Sequence, residues 1–163
     1  SSKLNKKIRL MRTHGVENIT NPKSWPMLGF NFRYTDVLAS IGIEQLNYIK
    51  KRIIFLRKIY TTYKKGLQNT KFTLIPVDIN NGEVPVYNEF LINDRDKIVK
   101  ESLAHNFELR PFFPEISLAS YLLPHKKTYE NSKLFSKKGI ILPSGPSQKI
   151  EDIHRCISFL RKL

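Results

Sequence analysis

Gly29-Phe30-Asn31-Phe32-Arg33-Tyr34-Thr35-Asp36 passes without interruption from a turn into a long apolar-periodic helix, and that helix organises the rest of the chain. Thr35 suits an N-cap, and Asp36 puts a carboxylate in the first turn, where the helix dipole favours it. From there Leu38, Ile41, Leu46, Ile49, Ile53, Leu56, Tyr60, Tyr63 and Leu67 recur at steps of three and four, with one step of five. The spacing predicts one helix of about thirty residues, or two nearly collinear ones. At ~1.5 Å per residue such a helix spans ~45 Å, more than a compact domain of this size requires. It is expected to bridge two bodies or to pack against a partner.

Upstream, Leu4, Ile8 and Met11 fit a short helix over residues 1–12 that stops at His14-Gly15. Residues 18–26, with two prolines and Trp25, read as a loop. Downstream the character changes after Gly66. Residues 72–76 and 84–92 read as strands flanking an Asn80-Asn81-Gly82 turn, and Asp94 is expected to cap a helix. Residues 107–113 form a third strand candidate, 114–128 are irregular, 129–136 suggest a short helix and 139–142 a short strand. Ser147 is expected to cap a last helix with Ile150, Ile153, Ile157 and Leu160 turned inward. The order is a long helix followed by β-β-α-β-α-β-α, an α/β module with a small sheet.

The chain has 163 residues, enough to bury a core, and 40% of them are hydrophobic, which argues against disorder. No apolar run approaches a membrane span and no signal peptide is visible, so a cytoplasmic protein is expected. The single cysteine, Cys156, excludes an internal disulfide framework and a cysteine-rich metal site. Charge is the one extreme: 28 Lys and Arg against 14 Asp and Glu leave a net +14. That balance suits a polyanion or a phosphate-bearing ligand. The basic residues fall in scattered doublets such as Lys50-Lys51 and Lys64-Lys65, however, which is how solvated helix faces read, and nucleic acid is not the expected partner.

Self-contained chemistry is hard to find. The seven glycines are isolated, so no phosphate-cradling glycine loop is present, and the four histidines lack metal-ligand spacing. No metal site is expected, and no residue is expected to be catalytic by itself. The run Glu108-Leu109-Arg110-Pro111-Phe112-Phe113-Pro114 stands out. An arginine followed by proline and two aromatics at a strand end makes a rigid shelf, able to pair with a phosphate and pack on a sugar or base.

His14-Gly15, the Gly29-x-Asn31-x-Arg33-x-Thr35-Asp36 run, Ala39, Gly42, Gln45-Leu46, Arg57 and Tyr63 together resemble the DegT/DnrJ-type sugar-nucleotide aminotransferases. Those are pyridoxal-phosphate enzymes of the aspartate-aminotransferase fold (fold type I). Arg110-Pro111-Phe112-Phe113 looks most like the perosamine-synthetase branch, and Leu142-Pro143-Ser144-Gly145-Pro146 matches the family's closing segment. The resemblance implies residues 1–34 as a remnant of the large cofactor domain, 35–67 as a connecting helix, and 68–163 as the small C-terminal α/β domain with a mostly antiparallel sheet. It implies a homodimer in which Asn31 reaches the cofactor phosphate held by the other subunit. It implies also that Arg110, Pro111, Phe112 and Phe113 line the sugar end of a pocket. The complete enzyme would use L-glutamate and a nucleotide-diphosphate keto-sugar, in the biosynthesis of a surface polysaccharide such as lipopolysaccharide O-antigen.

Two departures accompany the match. The lysine that the family uses to hold pyridoxal phosphate lies upstream of the matched region and precedes a tract of adjacent glycines; no two glycines adjoin here. The Pro-x-His that usually follows the aromatic pair is Glu115-Ile116-Ser117. The chain thus reads as the C-terminal half of a transaminase, inactive alone. The alternative is a non-enzymatic basic binding or dimerisation module.

Overall fold

The computed structural model describes residues 1–18, 20, 25–119 and 129–163. It divides into two compact units, Ser1–Ile49 and Lys50–Leu163, a boundary that falls inside the long periodic stretch. Parts of the loop expected at 18–26, and the segment around Pro124 and His125, lie outside the described residues.

Among its described residues the first unit is tied together chiefly by backbone hydrogen bonds. Helix α1 (Ser2–Arg12) ends at His14 and Gly15, both with positive φ (53° and 77°), and the Gly15 N–H closes the last turn on the Leu10 carbonyl at 2.8 Å. The chain from Met27 onward then runs back along this turn. Phe30 N–H donates to the Met11 carbonyl, His14 N–H to that of Phe30, and Phe32 N–H to that of Arg12, at 2.7, 2.8 and 2.9 Å. Glycine is required on both sides of this approach. A Cβ on Gly29 would sit 1.9 Å from the Gly15 nitrogen, and one on Gly15 would sit 2.0 Å from the Met27 carbonyl oxygen.

Helix α2 (Asp36–Asn47) starts as the sequence indicates, with Thr35 Oγ1 accepting from Leu38 N–H at 3.3 Å. It ends at Tyr48, whose N–H turns back to Gln45, and helix α3 (Ile49–Gly66) begins at once. The periodic stretch is therefore two helices. Neither α1 nor α2 contains a buried residue, and the buried apolar side chain in this unit, among the described residues, is Val16.

The second unit carries the core. Leu56, Ile59, Tyr60 and Tyr63 of α3 are buried, as their spacing predicts. They are followed by β1 (Thr73–Leu74), β2 (Asn88–Leu91), α4 (Arg95–Ala104), β3 (Arg110–Pro111), α5 (Glu130–Lys138), β4 (Gly139–Leu142) and α6 (Ile150–Leu160). The strands form one sheet in the order β1-β2-β4-β3, every pair antiparallel. This is the small α/β module expected. Phe90 and Ile140 face each other in register and join Ile59, Tyr63, Ile98, Ile153 and Leu160 in one cluster. Each such side chain contributes about 1.5–3 kcal/mol through burial.

Several boundaries differ from expectation for local reasons. The strand expected at 84–92 shrinks to 88–91, since Pro85 lacks an N–H and Val86 N–H bonds back to the Val84 carbonyl. The strand expected at 107–113 shrinks to Arg110–Pro111 on the sheet edge, where proline's missing donor is tolerated. Asp94 stands at the head of α4 but in a left-handed conformation, and its side chain makes no capping bond. Ser147 does not cap α6; that helix starts after Lys149, without a side-chain cap.

The turn after β4 is tied to the sheet by one buried hydroxyl. Ser144 Oγ accepts from the Asn88 backbone N–H at 2.8 Å and from Asn88 Nδ2 at 3.0 Å, and donates to the Leu142 carbonyl. Ser144→Ala leaves two buried donors unpaired and should lower stability by roughly 2–4 kcal/mol in urea unfolding. An unchanged midpoint would mean that this hydroxyl does not anchor the turn.

Candidate functional site

Asn31 belongs to the first unit and Arg110 to Phe113 belong to the second. At the first position the bridge between Thr13 and Asn31 fixes the backbone, and the rings of Phe30 and Phe32 stack with centroids 5.1 Å apart. Asn31 is exposed, and its Oδ1 accepts from Arg33 Nε at 3.3 Å. Tyr34 then folds onto α2, its hydroxyl donating to the Leu38 carbonyl at 2.9 Å. Gly42 makes room for it: a Cβ there would meet that oxygen at 2.7 Å.

In the second unit a groove of about 530 Å³ opens beside β3, walled by Tyr87, Glu108, Arg110, Ser144, Asp152 and Arg155 among others. Arg110 Nε donates to Glu108 Oε1 at 3.1 Å, and Arg155 Nη1 to Asp152 Oδ1 at 2.9 Å. The Arg155 guanidinium also lies 5.6 Å from the Phe107 ring centroid. Arg110, Glu108 and Arg155 are largely exposed and Asp152 is partly so, which keeps each pair under about 1 kcal/mol and leaves other N–H groups of the arginines open to an anion.

The four residues of the Arg110 run do not act alike. Arg110 lines the groove; Pro111, Phe112 and Phe113 do not. Phe112 is half-buried, packed edge-on to Phe135 with centroids 5.6 Å apart and pressed against Gly139, where a Cβ would lie 2.6 Å from its own. Phe113 is 64% exposed. Arg155, Asp152 and Tyr87 share the groove without any spacing in sequence that marks them, because the sheet and α6 bring them together.

Among the described residues no group of three His, Cys, Asp or Glu side chains could hold a metal, and no helix is long and apolar enough to cross a membrane. Cys156 is buried and its thiol is pushed up to about 11, mainly by burial. The hydroxyl of Tyr63, also raised by burial, donates to the Pro143 carbonyl at 3.2 Å and ties α3 to the turn after β4.

The chain belongs to the DegT/DnrJ/EryC1/StrS aminotransferase family, whose model matches residues 1–161. It is 29% identical to the GDP-perosamine synthase of Vibrio cholerae over 164 residues, which cover 90% of this chain and 42% of that protein. Spr1654 from Streptococcus pneumoniae, solved in its pyridoxal phosphate form, superposes with a TM-score of 0.80 at 14% identity, over 99% of this chain and 43% of that one. PseC from Helicobacter pylori, an aminotransferase involved in the biosynthesis of pseudoaminic acid, gives 0.76 at 18% identity, over 99% and 46%. The chain spans about two fifths of the length of the curated relatives it matches.

The donor set at Asn31 fits the phosphate end of pyridoxal phosphate. Its oxygen is taken by Arg33, which leaves the amide N–H groups as donors beside a guanidinium.

Glu89 stands opposite Ile141 in the sheet, and Ile141 opposite Arg110, so the three form one row across β2, β4 and β3. Glu89 is half-buried, and loss of water raises its carboxyl pKa above the ordinary 4.5. The folded state then holds this proton more tightly than the unfolded one. The stability it contributes is present below the unfolded pKa and is lost as pH rises through the folded value. Glu89→Gln should flatten that decline and leave the variant more stable than wild type at pH 7. Parallel stability–pH curves for the two proteins would contradict this.

Proposed function

We propose that this chain is the C-terminal part of a pyridoxal-phosphate-dependent aminotransferase that aminates a nucleotide-linked 4-keto-6-deoxy sugar, in the cytoplasm, for a surface polysaccharide. The observation that carries the reading is Asn31, a neutral amide donor presented at an exposed turn within the region that the family model matches. Pyridoxal phosphate would supply the electron sink that lets an amino group pass from L-glutamate to the keto carbon. Asn31 would hold its phosphate across a homodimer interface, adding a hydrogen bond without adding charge. Arg110 would orient the sugar nucleotide at the groove beside β3, through the guanidinium N–H groups that Glu108 leaves free. Phe112, packed on Phe135 and Gly139, would serve this site by fixing the backbone after Arg110, and Phe113 offers an exposed ring.

Two features support the reading as part of a larger enzyme. The matched share of each relative is under half, and among the described residues neither α1 nor α2 buries a side chain. By itself the chain would not turn over.

The reading is tested by incubating the full-length protein with pyridoxal phosphate, L-glutamate and a panel of nucleotide 4-keto-6-deoxy sugars. An amino sugar nucleotide and 2-oxoglutarate should form in equal amounts; no product with any member would overturn it. In that enzyme Arg110→Ala should raise KM for the keto-sugar ~10-fold or more, the loss expected for one charged hydrogen bond. KM for glutamate should stay within about twofold. An equal rise for both substrates would remove Arg110 from the sugar site.

A further inference from the structure

The contact between Asn31 and Arg33 has a chemical direction. A guanidinium offers only donors, so the Asn31 amide can meet it only with its oxygen, and its NH₂ must point the other way. The backbone on either side of Asn31 is fixed by the bonds of Phe30 and Phe32 to Met11 and Arg12, but those bonds do not set the amide's rotation. Among the described residues the Asn31 side chain has no other hydrogen-bond partner. Rotated by half a turn, the same amide would present lone pairs to an incoming anion and repel it. The donor character of this turn therefore depends on Arg33.

We propose that Arg33 is a positioning residue: it locks the Asn31 amide with its NH₂ outward, and so makes position 31 a phosphate donor. The inference rests on the reading of Asn31 given above and goes beyond it, since it assigns Arg33 an action through Asn31 and not on the phosphate itself. Arg33 lies two residues on from Asn31, and its Nε reaches Oδ1 directly. The stacked rings of Phe30 and Phe32 occupy the alternate positions.

A double-mutant cycle on the full-length protein tests this, with the dissociation constants of pyridoxal phosphate and of pyridoxal, which lacks the phosphate, as readouts. Asn31→Ala should weaken pyridoxal phosphate ~10-fold, as expected for one hydrogen bond to a charged group, and leave pyridoxal unchanged. Arg33→Ala should weaken pyridoxal phosphate by a similar ~5–10-fold in the wild-type background and by less than about twofold in the Asn31→Ala background, the signature of a residue acting through its neighbour. Arg33→Lys, which keeps a donor for Oδ1, should recover most of the affinity. If Arg33→Ala costs as much in the Asn31→Ala background as in wild type, the arginine acts directly or by charge and the positioning role is overturned. If Asn31→Ala is silent, or weakens pyridoxal equally, the phosphate reading of Asn31 itself fails, and the role of Arg33 with it.

Discussion

Buried apolar surface is distributed very unevenly along this chain, and most of its behaviour follows from that. From Leu56 to Leu160, sheet and helices close on a cluster that includes Tyr63, Phe90, Ile140 and Ile153, all nearly inaccessible. Before Ile49 two helices hold no buried residue: Val37, Ile43 and Leu46 of α2 are each more than 60% exposed. A helix of α2's length gains little in water from its own hydrogen bonds, since nucleation is costly and packing normally supplies the rest. Helix α2 therefore depends on another surface. In the proposed enzyme that surface would belong to the body that holds the cofactor and to a second subunit.

What the first unit does fix is the turn that carries Asn31. Two glycines let the chain after Met27 lie directly on the end of α1, and three backbone hydrogen bonds hold it there. Such bonds depend little on side-chain burial, so the turn can be shaped locally. The groove beside β3 has the opposite origin. Its arginines come from an edge strand and from α6, and they line one groove only because the fold of the sheet and core puts them there. One candidate position is thus local in sequence and the other is a product of the fold.

This difference governs how far the sequence could be read. Thr35 as a cap, Gly139–Leu142 as a strand and the apolar stripe of α6 were all legible, because each is set by neighbours within a few residues. Two collinear helices were an alternative from the start, but the place of the break at Tyr48 was not legible, since the apolar rhythm continues through it and no proline or glycine marks it. The exposure of α2 was also hidden: periodicity shows that a helix has an apolar face, and says nothing of whether this chain covers it. Asn31 and Arg110 could be named as candidates from their motifs. Arg155 and Asp152 could not, because their place in the groove depends on tertiary contacts. Phe112 shows the converse, since its motif points to a pocket while its ring packs on Phe135 and Gly139.

The dependence of α2 on an outside surface is open to amide hydrogen exchange, comparing these 163 residues alone with the same residues in the proposed full-length enzyme. We expect strong protection in α3 and α6 in both, and protection in α2 only in the full-length protein. Protection of α2 equal to that of α6 in the isolated, monomeric chain would refute this dependence, since the helix would then have found its cover within these residues.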